Sequence, residues 1–261
     1  MQHHEDTLSA YVEQVAASDD ALAVVATGSV ARGAERPDSD VDVCLVVTDA
    51  AFERATREQR LSYVLHDVAT YDGGYVDVKV VSPDYLAAAA ERADEPTRAS
   101  LAGARVAWSR IDDLDAVLER ITVLPEAEWE RRTASFIAQM RLYGGYFLPQ
   151  GAQLDDVYPT RWAAVHLVNS ASRALLAHHR VLFAGPKYLR KTVRALPSTP
   201  EGFADLADRT LESPTPEVGA RLLEAVEGFH AWPVTPDETL SRFVADNELS
   251  WLWREPAPES Y

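Results

Sequence analysis

The chain has 261 residues, 47% of them hydrophobic and 25% charged, which allows one large domain or two modest ones and excludes a disordered polymer. Its formal net charge of −16 speaks against a protein that grips polynucleotide non-specifically and favours small or cationic partners. The single cysteine, Cys44, excludes an intrachain disulfide, and no apolar run is long enough to cross a bilayer.

The first residues, MQHHEDTL, are polar and acidic, unlike a signal peptide, so a cytoplasmic location is expected. His3 and His4 read as part of a floppy terminus. Apolar residues at Leu8, Tyr11, Val12 and Val15 predict an amphipathic helix over Glu5 to Ala17. Leu22 to Ala26 then reads as a buried strand.

The stretch that follows, GSVARGAERPDSDVDVCLVV from Gly28 to Val47, organises the chain. Gly28 permits a tight turn and close backbone approach to a ligand. Ser29 opens a short helix that Val30, Ala31 and Arg32 continue, and amides at a helix start attract phosphate. A second strand carries Asp40 and Asp42. Side chains two apart on a strand share a face, so the two carboxylates sit side by side with Cys44 and Val46 beyond them. Val41, Val43, Leu45 and Val47 point the other way, into a core. Adjacent carboxylates repel unless a cation lies between them, and oxygen-only ligands suit magnesium better than zinc.

Phe52 to Leu65 reads as a helix with Phe52, Leu61 and Val64 facing the core. Asp72-Gly73-Gly74 is a turn signal. Tyr75 to Val81 is a third strand, with Val76, Val78 and Val80 on one face and Tyr75, Asp77, Lys79 and Val81 on the other. Asp72 and Asp84 read as turn or cap residues. A helix is predicted over Pro83 to Arg92, with proline in its first turn. A short helix and a small edge strand are predicted within Ala99 to Trp108.

Beyond this point the pattern is helical: Glu126 to Tyr143, Pro159 to Phe183, Lys187 to Leu196, Gly202 to Leu211, Pro216 to Phe229 and Pro236 to Trp253. Pro197, Pro200, Pro214 and Pro233 punctuate these segments. Asp156 or Thr160 caps the longest helix. His166 reads as a core or interface residue, and Trp129, Trp162, Trp251 and Trp253 as core. The tail beyond Arg254 reads as frayed. The division expected is 1–115 and 116–261. The fold class is α+β, a small mixed sheet flanked by helices followed by a helical bundle.

Gly28, Ser29, Arg32, Gly33, Ser39, Asp40 and Asp42 together resemble the signature of the DNA polymerase β-like nucleotidyltransferase superfamily. That resemblance implies nucleotidyl transfer on ATP or another nucleoside triphosphate, with magnesium, two ions, held by Asp40, Asp42 and a third carboxylate on a later strand, for which Asp77 is the candidate. It also implies nucleotide contacts from Gly28, Ser29, Arg32 and Ser39. The layout of a small catalytic domain before a helical one resembles the antibiotic nucleotidyltransferases that modify aminoglycosides or lincosamides. It implies a small hydroxylated acceptor, with Glu126, Glu128, Glu130, Asp155 and Asp156 as candidate acids for it. Two other readings stay open: a transferase acting on a protein or a transfer RNA, and a nucleotide-binding module without turnover. The intact Asp40, Asp42 and Asp77 set argues against the latter.

Lys187 follows the sharp Gly185-Pro186 turn and starts a helix, where the dipole opposes a cation. A triphosphate would offset that, and Lys serves well as a point charge for phosphate. The resemblance points the same way, to a basic residue of the helical domain holding the β- and γ-phosphates.

Overall fold

A computed structural model describes residues 1–261. The chain forms two compact units, Met1–Val123 and Leu124–Tyr261.

The first unit is a five-stranded mixed sheet with helices on both faces. Its elements are α1 (Gln2–Ala16), β1 (Ala21–Ala26), α2 (Gly28–Ala31), β2 (Val41–Val47), α3 (Asp49–Arg57), β3 (Ser62–Leu65), β4 (Val76–Val81), α4 (Pro83–Arg92), α5 (Glu95–Leu101), β5 (Arg105–Ser109) and α6 (Leu114–Thr122). The strand order is β3-β4-β2-β1-β5. β2 and β4 are parallel; the other neighbours are antiparallel. The two most apolar strands, β1 and β2, are central, as burial on both faces requires. One face carries Val41, Val43, Leu45, Val76 and Val78 against Leu8, Tyr11 and Ala51. The other carries Ala23, Val25, Cys44, Val46 and Val81 against Leu86, Leu101, Leu114, Leu118 and Ile121.

Two expectations for this unit are corrected. The terminus is not floppy: α1 begins at Gln2, and His4 is fully buried with its ring nitrogen 3.1 Å from the Ser39 carbonyl oxygen. The segment from Phe52 to Leu65 is not one helix. α3 ends at Arg57, Gln59 takes a left-handed conformation, and Ser62–Leu65 pairs with β4 as an edge strand. Leu61 and Val64 are exposed there rather than in the core, because an edge strand has one face against the sheet and one in water.

The second unit is helical: α7 (Glu126–Leu142), a π-helical turn at Tyr143–Phe147, α8 (Leu148–Gln153), α9 (Val157–His178), α10 (Pro186–Arg194), α11 (Phe203–Glu212), α12 (Pro216–Glu227), α13 (Thr239–Phe243), a second π-helical turn at Val244–Glu248 and α14 (Ser250–Trp253). Phe136, Ile137, Met140, Leu148, Leu167, Leu175 and Leu222 form its core. The frayed tail is also corrected. Tyr261 is 2% exposed. Its main-chain oxygen accepts from Arg173 at 2.8 Å, its hydroxyl accepts from Arg131 at 2.8 Å, and its ring meets Phe136 edge-on. Trp251 and Trp253 are exposed and Trp162 only partly covered, so of the four tryptophans Trp129 alone belongs to the buried core. No helix is long and apolar enough to cross a membrane.

Candidate active site

The site rests on the parallel pair β2 and β4. Their register sets Val41 beside Val76 and Asp42 beside Asp77. Alternation then places Asp40, Asp42 and Asp77 on one face, at the strand starts, where the sheet is not yet covered by the helices that bury Val46 and Val81. One carboxylate oxygen from each of the three lies within 4.8 Å of the others, and all three residues are half-buried.

The turn after β1 closes against this cluster. The Thr27 amide donates to the Asp42 carbonyl oxygen at 2.9 Å. Gly28 has φ of +66°, and a Cβ there would stand 1.8 Å from Asp42 Oδ2. Glycine is thus demanded twice, by the backbone conformation and by the carboxylate packed on its α-carbon. Ser29 follows on α2, half-buried. Arg32 caps α2, and its stem passes beside Gly103.

Ser39 anchors the entrance to β2. Its hydroxyl accepts from the Arg36 amide at 2.9 Å, and its carbonyl accepts from the Tyr71 hydroxyl and lies against the buried His4 ring. Tyr75 precedes Asp77 by two residues on the same face. The Asp40 carboxylate, with the charges of Asp77 and Asp42, pushes its phenol pKa up. Burial together with the Asp40 charge pushes the Tyr71 phenol up as well. Deeper on the same face, burial pushes the Cys44 thiol up to about 11.

Tyr71 has no place in the sequence reading, Tyr75 appears there only as a strand residue, and His4 only as part of the terminus. The strand alternation that placed Asp77 also placed Tyr75, so that signal was available. Nothing local marked His4 or Tyr71, which reach Ser39 across 35 and 32 residues of sequence.

The donor set is all carboxylate, negatively charged and open to solvent, which fits a hard divalent cation such as magnesium. Of the remaining predicted residues, Lys187 lies in the second unit, exposed in the first turn of α10. Glu126 is ion-paired with Arg180, Glu128 bonds Arg131 and Arg132, and Asp156 accepts from the Tyr158 amide to cap α9. These three acids therefore have structural partners. The second unit also holds a cavity of about 400 Å³ bordered by Val168, Phe183, Val193, Phe203 and Ala207, and no predicted site residue lines it.

Residues 9–98 match the family described as nucleotidyltransferase domain. No curated protein matches the chain. Among solved structures, a nucleotidyltransferase-like protein from Exiguobacterium sibiricum is similar over 96% of this chain and 79% of its own, at 14% identity and a TM-score of 0.52, which shows a shared fold. A spectinomycin adenyltransferase from Enterococcus faecialis, solved with ATP and spectinomycin, aligns over 87% of this chain and 99% of its own, at 12% identity and a TM-score of 0.28.

Proposed function

We propose, from the premise that residues 9–98 are a nucleotidyltransferase domain, that the enzyme transfers AMP from ATP to a hydroxyl of a small molecule and releases pyrophosphate. The observation that most supports this is the convergence of Asp40, Asp42 and Asp77 within 4.8 Å, beside the turn that Gly28 makes possible.

In this reading Asp40, Asp42 and Asp77 hold magnesium. Bound there, magnesium supplies charge stabilisation to the attacking and leaving oxygens of an in-line displacement. Gly28 lets the backbone approach the triphosphate without a side chain in the way, and the main chain at Gly28 and Ser29 faces phosphate. Arg32 and Ser39 add polar contacts to the nucleotide. Asp77, or a carboxylate of the helical unit, takes the proton of the acceptor hydroxyl as that hydroxyl's oxygen bonds the α-phosphorus and the bond from that phosphorus to the pyrophosphate breaks. Lys187 is assigned to the β- and γ-phosphates on its sequence position alone. The acceptor is a small hydroxylated molecule of aminoglycoside type, since a chain of net charge −16 attracts polyamines and repels polynucleotide.

The test is pyrophosphate release across nucleoside triphosphates and hydroxylated acceptors, with product mass read in parallel. An acceptor that gains one nucleoside monophosphate supports the reading. Turnover only with RNA or protein acceptors would replace the small-molecule assignment.

A further inference from the structure

Helices α9, α10 and α11 of the second unit border a cavity of about 400 Å³. That volume lies within the range of small-molecule sites, roughly 300–1,000 Å³. The wall is apolar: Val168, Phe183, Val193, Phe203 and Ala207 are buried and belong to the core of the unit. The rim is charged. Arg190 and Arg194, one turn apart on α10, donate to the same oxygen of Asp208 on α11, at 2.5 and 3.2 Å. Two guanidiniums thus face one carboxylate, which leaves a surplus cation beside the apolar wall. Both arginines are exposed, and ion pairs in water are weak and readily exchanged. The other charged groups at the cavity are engaged: Glu259 with His166 at 2.9 Å, and Arg173 with the main-chain oxygens of Pro258 and Tyr261 at 3.1 and 2.8 Å.

We propose that this cavity binds a small organic anion with a hydrocarbon body, the body against Val168, Phe183, Val193, Phe203 and Ala207 and its carboxylate at Arg190 and Arg194. A planar carboxylate matches the guanidinium fork, and burial of the body supplies the hydrophobic part of the affinity. The nucleotide and metal contacts proposed above use none of these residues, so this is a separate site. Its preference runs against the charge of the whole protein. A chain of net charge −16 attracts cations, so selection of an anion reports the two arginines.

The test is calorimetric titration of the full-length protein, without metal or nucleotide, with decanoate as the probe. Decanoate should bind saturably. Octanoate, shorter by two methylenes, should bind about tenfold more weakly. Decylammonium has the same body and the opposite charge, and should also bind about tenfold more weakly or worse. Arg190→Gln leaves one guanidinium for Asp208 and no surplus cation. It should weaken decanoate about tenfold and keep the melting temperature, since the side chain is exposed. Lys191→Gln removes the same charge from a residue that does not border the cavity, and should stay within about twofold of the parent. Ala207→Leu narrows the cavity and should weaken decanoate in a protein that circular dichroism shows to be folded. Arg190→Gln decides if Ala207→Leu does not fold. No saturable binding of decanoate, decylammonium binding as tightly as decanoate, or parent-like affinity in Arg190→Gln would overturn the proposal. Equal losses in Arg190→Gln and Lys191→Gln would mean diffuse attraction and overturn it too. So would parent-like affinity in a folded Ala207→Leu, which would place the alkyl chain elsewhere.

Discussion

The carboxylate of Asp42 packs on the α-carbon of Gly28, with Oδ2 1.8 Å from where a Cβ would stand. The turn that ends β1 and the acid on β2 therefore share one volume, and neither can change alone. Gly28→Ala adds a methyl group at a φ of +66°. It should destabilise the fold by about 1–3 kcal/mol and displace Asp42. Urea unfolding and manganese titration of the same preparation check this. Parent-like stability together with parent-like metal binding would show that the turn relaxes freely.

Ion binding should stabilise the native state through the triad and through no other acid on the same segment. At a free ion concentration about a hundredfold above Kd, the gain is about 2.7 kcal/mol. Asp77→Asn should remove most of the rise in Tm on adding manganese. Asp72→Asn, in the loop before β4, should keep it. Equal loss in both variants would point to diffuse charge rather than a site.

Cys44 reports on the depth of the same face. Its thiol is pushed up to about 11 by burial. Between the ordinary thiol range near 9 and that value, the unfolded chain loses its proton and the native chain keeps it. The unfolded state then binds fewer protons, so stability falls as pH rises through this window. Below it the thiol is neutral in both states and contributes nothing to the pH dependence. Denaturant unfolding at pH 8 and at pH 10.5 should show a loss in the parent chain that is smaller in Cys44→Ala. Identical losses would place the thiol in solvent.

Much of the first unit was legible in sequence because alternation is unambiguous in Val41 to Val47 and Val76 to Val81, where every second residue is valine or leucine. The same pattern fixed which acids share a face. It failed at Ser62–Leu65, where a short edge strand follows a real helix closely and its exposed residues mimic helical spacing. Long-range anchoring was not legible either. His4 meets Ser39, and Arg173 meets Tyr261, through partners far apart in sequence. The tail is one such case: its proline-rich, charged composition reads as solvated, but a buried arginine binds its backbone.

Lys187 is assigned to the triphosphate by position in the sequence, and its own substitution tests that assignment. Lys187→Ala should weaken ATP about tenfold more than AMP, a difference of about 1.4 kcal/mol for one charged phosphate contact. The Tm of the free protein should stay unchanged, since the side chain is exposed. Calorimetric titration with both nucleotides decides: equal weakening of the two, or none, removes Lys187 from the nucleotide site.

The central claim is that Asp42 is a ligand for the ion that drives nucleotidyl transfer. The most direct measurement is pyrophosphate release by Asp42→Asn, with the acceptor that the parent chain uses and with circular dichroism on the same sample. The amide matches the carboxylate in size and lacks its charge. Losing one ligand should cost about 4 kcal/mol in the transition state, about a thousandfold in rate, with the fold intact. Near-parent turnover by a well-folded Asp42→Asn protein would contradict the account.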